Sequence, residues 1–443
     1  MKNIEVIMEW ATDLFPLCRS ITGEGLRKSL RYLKKIVPEM KIKNVKSGQK
    51  YYDWEIPLEW NIKDSFIYHI KSKKKFAEFK KSNLHIMGYS EPINKKIKFN
   101  ELKKKIFFNK KYPIQIPYVT SYYKKDWAFC MSHEEFIKMP KGDYRVVIDS
   151  RLKKGKMDYG EVLIKGKSKK EIFFSTYLCH PSLANNELSG PLFSTYLISQ
   201  IKKKFKKTNL SYRFIFIPET IGSIFYIKKN FKNLKKNMIA GYTISCVGDN
   251  KNYSHIESRM GNTLADQSLE ASMIGLKNVK KYSFLVRGSD ERQYCSPGID
   301  LPVAGFCRTK YGSYPEYHSS ADNLKLINKI GFAGTYDVFL NIIKSFELGM
   351  YPSSKIKCEP MMSKRNLYYT ISDKENKNKP VMGYESHPGE NLDKVVTRRM
   401  DILAYSDGKH NIFEIAKKIN QPLREVVKEI EILSSNNLIK FIK

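Results

Sequence analysis

Ile172-Phe-Phe-Ser-Thr-Tyr-Leu-Cys-His180-Pro-Ser-Leu-Ala-Asn-Asn-Glu187-Leu-Ser-Gly190 decides how this chain is read. An apolar run ends at His180, a polar loop follows, and the small pair Ser189-Gly190 can open a helix. A histidine at the carboxyl end of a buried strand stands where open α/β sheets hold their ligands. Further along, a second apolar run, Phe214-Ile-Phe-Ile217, leads into Pro218-Glu219-Thr220-Ile221-Gly222. One run ends in an imidazole and the other in a carboxylate, the beginnings of a hydrolytic metal site.

Working outward, short apolar runs at 145–148, 161–164, 172–177, 214–217 and 242–247 read as strands, and helical stretches at 191–206 and 221–231 separate the last three. That alternation predicts an α/β fold with a mostly parallel central sheet flanked by helices. Residues 283–286 and 301–306 are expected to add strands, and 326–348 a closing helix. Near the start, two short helices flank Arg19-Ser-Ile-Thr22-Gly-Glu-Gly25, with Thr22 as the expected N-cap. Residues 59–135 hold short strands broken by Gly88, Pro113 and Pro117, and read as an inserted β-rich subdomain. The main domain is thus expected over 1–58 and 136–350. Beyond Pro352 the composition shifts. A polar loop at 372–378 precedes a helix at 411–419, a second helix begun at Pro422, and a strand at 438–442. Val426, Val427, Ile430 and Leu433 share one face of the second helix, a winged-helix pattern over 351–443. Its charges nearly balance, Arg424 and Lys428 against Glu425, Glu429 and Glu431, which suits a protein partner better than phosphate.

A chain of 443 residues with 42% apolar and 13% aromatic residues has material for two or three domains with real cores. No 18-residue window is apolar and uncharged, so no membrane span is expected, and the N-terminus lacks a signal-peptide apolar region. Seven cysteines, odd in number and without a CxxC pair, point to a reducing cytoplasm and away from a disulfide framework or zinc ribbon. The net charge of +34 invites a nucleic-acid reading. However, only 14 of the 79 basic residues are arginine, and the lysines are spread along the chain. A solvated lysine-rich surface explains that better than a polyanion groove, so nucleic acid is not the expected partner.

Two more stretches join His180 and Glu219. Cys246-Val-Gly-Asp249 ends another apolar run, and Tyr317-His318-Ser-Ser-Ala-Asp322 displays a histidine on a loop. Two histidines and several carboxylates at strand ends suit zinc with one position open to water, and a nearby glutamate can take a proton from attacking water.

These motifs resemble the co-catalytic zinc aminopeptidases. The resemblance is carried by His180, Asn185-Asn186-Glu187-Leu-Ser189-Gly190, Glu219 with Gly222, Ser289-Asp290 before Gly298-Ile-Asp-Leu-Pro302, and His318-Ser-Ser-Ala-Asp322. More closely, the chain resembles bacterial aminopeptidase-like proteins of surface-polysaccharide gene clusters. That likeness rests on Arg19–Gly25, Asp53-Trp54-Glu-Ile-Pro57-Leu-Glu-Trp60, Cys179-His180-Pro-Ser182 and Pro218–Gly222. It implies a zinc-aminopeptidase-like sheet, with His180 and His318 as ligands and Glu219 as general base. The position of a bridging aspartate falls on Asn186, and that of a second glutamate ligand on Thr220, so one zinc ion is expected rather than two. Glu187 or Asp249 is the candidate third ligand. Asp290, Arg292, Tyr294, Tyr317, Arg19 and Asp53 are candidates for lining the site or supporting its ligands; Arg19, Asp53 and Arg292 could instead close structural ion pairs. Asp322 reads as an N-cap for the closing helix. The expected activity is cytoplasmic hydrolysis of a small amide or peptide-like substrate, such as a modified sugar, in surface polysaccharide assembly. Two alternatives remain: a catalytically degenerate scaffold of the same fold, and a winged-helix regulator.

Overall fold

The computed structural model describes residues 4–367 and 392–442. They form two compact units: residues 1–265 with 278–336, and residues 266–277 with 337–443.

The first unit is built on an eight-stranded sheet. At its centre Glu171–Tyr177 runs parallel to Ser211–Ile217 on one side and to Met238–Ile244 on the other. Val303–Cys307 continues the parallel set beyond Met238–Ile244. Every residue of Glu171–Tyr177 is buried, as expected for a strand covered on both faces, and Phe174 stacks on Phe214 with centroids 4.5 Å apart. The flanks are partly antiparallel. Lys156–Ile164 and Lys41–Lys46 extend one edge, and Tyr253–Ile256 with Val279–Tyr282 completes the other. Helices Ser189–Lys204 and Ile221–Asn237 each follow a central strand. Gly190 lies where the first begins; a Cβ there would come within 2.4 Å of Ile244 O and Thr176 Oγ1, so only glycine lets the helix start this close to the strand ends.

The insertion has its own antiparallel sheet, ordered Lys75–Phe76, Glu59–His69, Asp143–Lys153, Ile93–Lys98. This sheet takes in Asp143–Lys153, so 145–148 belongs to it, not to the main sheet. The reason is legible in the burial. Tyr144, Val146 and Ile148 are buried while their neighbours are not, the alternation of a half-covered antiparallel strand. Two further expectations shift. Residues Phe284–Val286 form a 3-10 turn, and the strand lies just before it at Val279–Tyr282. Thr22 does not cap helix Glu24–Ile36. Gly23 holds the N-cap position at φ 97°, Asn61 Oδ1 accepts the Glu24 N–H, and Thr22 Oγ1 turns inward to Tyr89 Oη at 2.6 Å.

In the second unit, helices Leu392–Ala404, Ile412–Lys418 and Leu423–Ser435 precede strand Ile439–Ile442, which pairs antiparallel with Tyr351–Ser354. Asn411 and Glu414 form a capping box at the second helix. Leu423, Val426, Val427, Ile430 and Leu433 are buried on the third. Arg399 Nε meets the buried Glu429 carboxylate at 2.7 Å. The polar loop expected at 372–378 lies outside the described residues.

Candidate active site

The carboxyl ends of the parallel strands deliver the candidate residues to one edge of the sheet, as the strand directions require. Three residues past Tyr177, the His180 side chain is buried, and its Nδ1 lies 2.7 Å from Glu187 Oε2. A carboxylate only accepts, so Nδ1 carries a proton, and in the neutral ring Nε2 would keep the lone pair that an ion needs. Glu187 reaches this position through an unusual turn. Residues Ala184–Leu188 form one π-helical turn ahead of the regular helix. Asp322 caps that turn from across the site, accepting from the N–H groups of Ala184 and Asn185 at Oδ1 and of Asn186 at Oδ2. Asp322 is thus an N-cap, but for this helix and not for the closing helix Lys329–Leu348. Its burial raises its pKa to about 6, against the pull of the three backbone N–H groups.

Arg19 stands behind Glu187. Its Nε is 3.5 Å from Glu187 Oε1 and donates to His180 O at 3.0 Å, both side chains being fully buried. Burial by itself would lower the His180 pKa, but Cys179 and the hydrogen-bonded Glu187 outweigh it and hold it well above the usual range, so the ring carries both protons and an ion would have to displace the one on Nε2.

His180 Nε2 faces Glu219 Oε2 at 3.8 Å. Glu219 Oε1 accepts from Ser289 Oγ at 2.8 Å, leaving Oε2 free, and burial raises its pKa. The next residue, Thr220, has φ 63° and ψ −74°, and the Ile221 N–H closes on Glu219 O at 2.7 Å. This is a γ-turn of the strained, positive-φ kind on a β-branched residue, a conformation that marks functional loops. Asp290 Oδ1 secures it, accepting from Thr220 N and Ser223 Oγ, each at 2.8 Å. Arg292 Nη2 donates to Thr220 Oγ1 at 2.6 Å.

His318 also has a positive φ, 55°. Its ring centroid lies 5.6 Å from that of His180, and Tyr317 stacks against it at 3.9 Å. Burial, with help from the His180 charge, lowers its pKa to about 3, so it is neutral and able to ligate. Tyr118, from the insertion, packs against both histidines and takes its N–H to His318 O. Nothing in the spacing around Pro117 pointed to Tyr118.

The other candidates stand elsewhere. Asp249 is saturated by structural bonds: Oδ2 accepts from Asn185 Nδ2 and Thr309 N, and Oδ1 from Thr309 Oγ1 and Lys251 N. Asp53 sits exposed in the turn of the hairpin Lys50–Tyr51 and Trp54–Glu55. Tyr294 is core, its hydroxyl 3.0 Å from Ser175 Oγ and its ring against Phe173. Asn186 donates to Tyr177 Oη at 2.6 Å, and its Oδ1 is buried without a hydrogen-bond partner.

Cys179, His180 and Glu187 bring possible ligand atoms within 4.8 Å of one another. They do not form a cage. The 2.7 Å contact is a hydrogen bond, the His180 atom involved is the protonated one, and burial pushes the Cys179 thiol up to about 11. His180 Nε2 lies 3.8 Å from Glu219 Oε2, the His318 ring centre is 5.6 Å from that of His180, and the buried Asn186 Oδ1 has no hydrogen-bond partner. The Thr220 hydroxyl is engaged by Arg292.

Residues 8–348 match a family described as a domain of unknown function (DUF4910), and residues 350–441 a winged helix-turn-helix family. Over 432 residues, 97% of this chain and 95% of the relative, the sequence is 38% identical to a Clostridium acetobutylicum protein named for polysaccharide biosynthesis and an aminopeptidase-like domain. A crystal structure of a Clostridium acetobutylicum protein described as a peptidase superposes with TM-score 0.88 at 36% identity, covering 100% of this chain and 97% of that one. A zinc aminopeptidase from Bacillus subtilis shares the fold at TM-score 0.55 and 13% identity, over 77% of this chain and 94% of its own.

Proposed function

For a chain that belongs to the DUF4910 family, joined to a winged helix and related to polysaccharide-biosynthesis proteins with an aminopeptidase-like domain, we propose a one-zinc amide hydrolase serving surface polysaccharide assembly. One observation carries the reading: Glu187 fixes the His180 tautomer so that Nε2 points at the free oxygen of Glu219, with neutral His318 alongside. His180, His318 and Asn186 Oδ1 would hold the ion, which supplies polarisation of the amide carbonyl when bound. Glu219 Oε2 takes the proton from the attacking water and returns it to the leaving nitrogen, while Ser289 keeps the carboxylate oriented. Tyr118 and Tyr317 wall the histidines off from bulk solvent. All seven cysteines are free, which supports reading the compartment as a reducing one such as the cytoplasm. The winged helix is read as a protein-docking module.

A non-hydrolytic binding shell is the second reading, favoured by the Arg292–Thr220 contact where a further metal ligand would be needed. Metal analysis separates the two. Protein stripped with chelator and reloaded should hold about one equivalent of zinc, and His180→Ala and His318→Ala should hold almost none. Glu219→Gln should keep the zinc and lose amide hydrolysis, measured on acyl p-nitroanilides, by roughly a hundredfold or more. Under a tenth of an equivalent in the reloaded wild type would overturn the hydrolase reading.

A further inference from the structure

Arg292 stands apart among those arginines of the first unit that are not exposed. Arg27 and Arg213 close on carboxylates, and Arg19 on Glu187. Arg308 is held by backbone carbonyls and the Tyr253 ring. Arg292 has no carboxylate within ion-pair distance among the described residues, although it is partly buried beside the Glu219 turn. Among the described residues its one hydrogen bond is from Nη2 to Thr220 Oγ1, and its Nε is shielded from solvent with no partner. The charge of Arg292 is felt at Glu219 and Asp290, which it makes more acidic, but neither reaches ion-pair distance and each neighbouring acid already has an oxygen engaged. Asp290 Oδ1 holds the Thr220 turn, Glu219 Oε1 holds Ser289, and Glu291 takes the N–H groups of Gly288 and Ser289 and the hydroxyl of Tyr311. A half-buried guanidinium that touches no carboxylate, with its Nε shielded from solvent and unpartnered, has N–H groups left for a ligand. Guanidinium is also the side chain best shaped to grip an oxyanion through paired N–H groups.

Resting on the amide-hydrolase reading, we infer that Arg292 is the anion-binding residue of this site, and that the substrate carries an oxyanion, carboxylate or phosphate, beside the scissile amide. The fixed positive charge does two things. It repels a second metal ion from Thr220 and Asn186, which offer neutral oxygens in return. It equally repels a free ammonium, the group that defines an aminopeptidase substrate. The site thereby keeps the hydrolytic residues while reversing the charge it selects.

Binding of inorganic phosphate and of acetate to zinc-loaded protein, at fixed ionic strength and by calorimetry, tests this directly. Arg292→Met should weaken the preferred anion at least tenfold at unchanged zinc content. Arg292→Lys should recover part of the loss and guards against a folding defect. Lys154→Met, on an exposed lysine, should change nothing. Whichever anion responds identifies phosphate or carboxylate as the ligand group. In a second arm, wild type should cleave an N-succinyl-aminoacyl p-nitroanilide at least tenfold better than the free-amine analogue in kcat/KM, and Arg292→Glu should invert that order. Equal anion affinity in wild type and Arg292→Met, or a wild-type preference for the free amine, overturns the inference. If neither amide is cleaved while anion binding still depends on Arg292, the inference stands and only the hydrolase reading falls.

Discussion

Glu187 shows how much one residue's position decides. It follows Asn186, where a bridging aspartate was expected, and its chemistry made it a candidate metal ligand. Its carboxylate instead lies behind the imidazole, 2.7 Å from Nδ1, with Arg19 behind it in turn. Such a partner orients a ligand histidine and typically changes metal affinity ten- to a hundredfold when lost. Glu187→Gln should therefore weaken zinc binding by roughly that factor, whereas a ligand's removal would abolish it. It should also lower stability by about 3 kcal/mol, because Arg19 is left buried without its counter-charge. Competition with a chromogenic chelator, alongside urea unfolding, reads both effects; unchanged zinc affinity would show that Glu187 does not support His180. The sequence could name Glu187 as important, but the π-helical turn that rotates it behind His180 depends on Asp322, which approaches from a distant loop.

Among the elements, the same dependence on distant partners recurs at helix Glu24–Ile36. Arg27 on this helix reaches Glu59 at 2.6 Å, on the first long strand of the insertion, and Asp158 at 3.0 Å, on a main-sheet strand. The helix thus clamps insertion to sheet. Burial works against ionisation of Glu59, but the Arg27 bond and the Lys156 N–H bring its pKa down to about 2. A carboxylate more acidic in the folded chain than in the unfolded one stabilises above its unfolded pKa and loses that contribution as pH falls towards 2. We expect Glu59→Gln to cost about 2 kcal/mol at pH 7 after allowance for solvent screening. The variant and wild type should then converge between about pH 4.5 and pH 2. Unfolding followed by circular dichroism across that range checks it; a difference that persists undiminished at pH 2 would rule the clamp out. Periodicity found most of the strands and helices. It put 145–148 in the main sheet because the run is apolar enough to pass for a main-sheet strand, and only its pairing with Glu59–His69 and Ile93–Lys98 tells them apart.

For the whole molecule, two units with separate cores share one chain, and the candidate zinc ligands all belong to the first. A ligand stabilises only what it binds, by about 2.7 kcal/mol at a hundred times its dissociation constant. Calorimetry should then show two transitions, one rising by roughly 5 °C with zinc and one unmoved. A single transition that moves as a whole would show instead that the units unfold together. The sequence by itself determined the class of fold, the winged helix, and the strand-end residues His180 and Glu219. Those features rest on local periodicity and on strand direction, which short windows carry. Only the tertiary structure decided what each acid and cation does. Asp322 caps a helix it does not precede, Asp249 is spent on Thr309 and Asn185, Asp53 stays on the surface, and Arg292 takes the Thr220 hydroxyl. A charged side chain's role is set by which other charges and dipoles the fold brings within a few ångströms, and those partners come from segments far away in sequence.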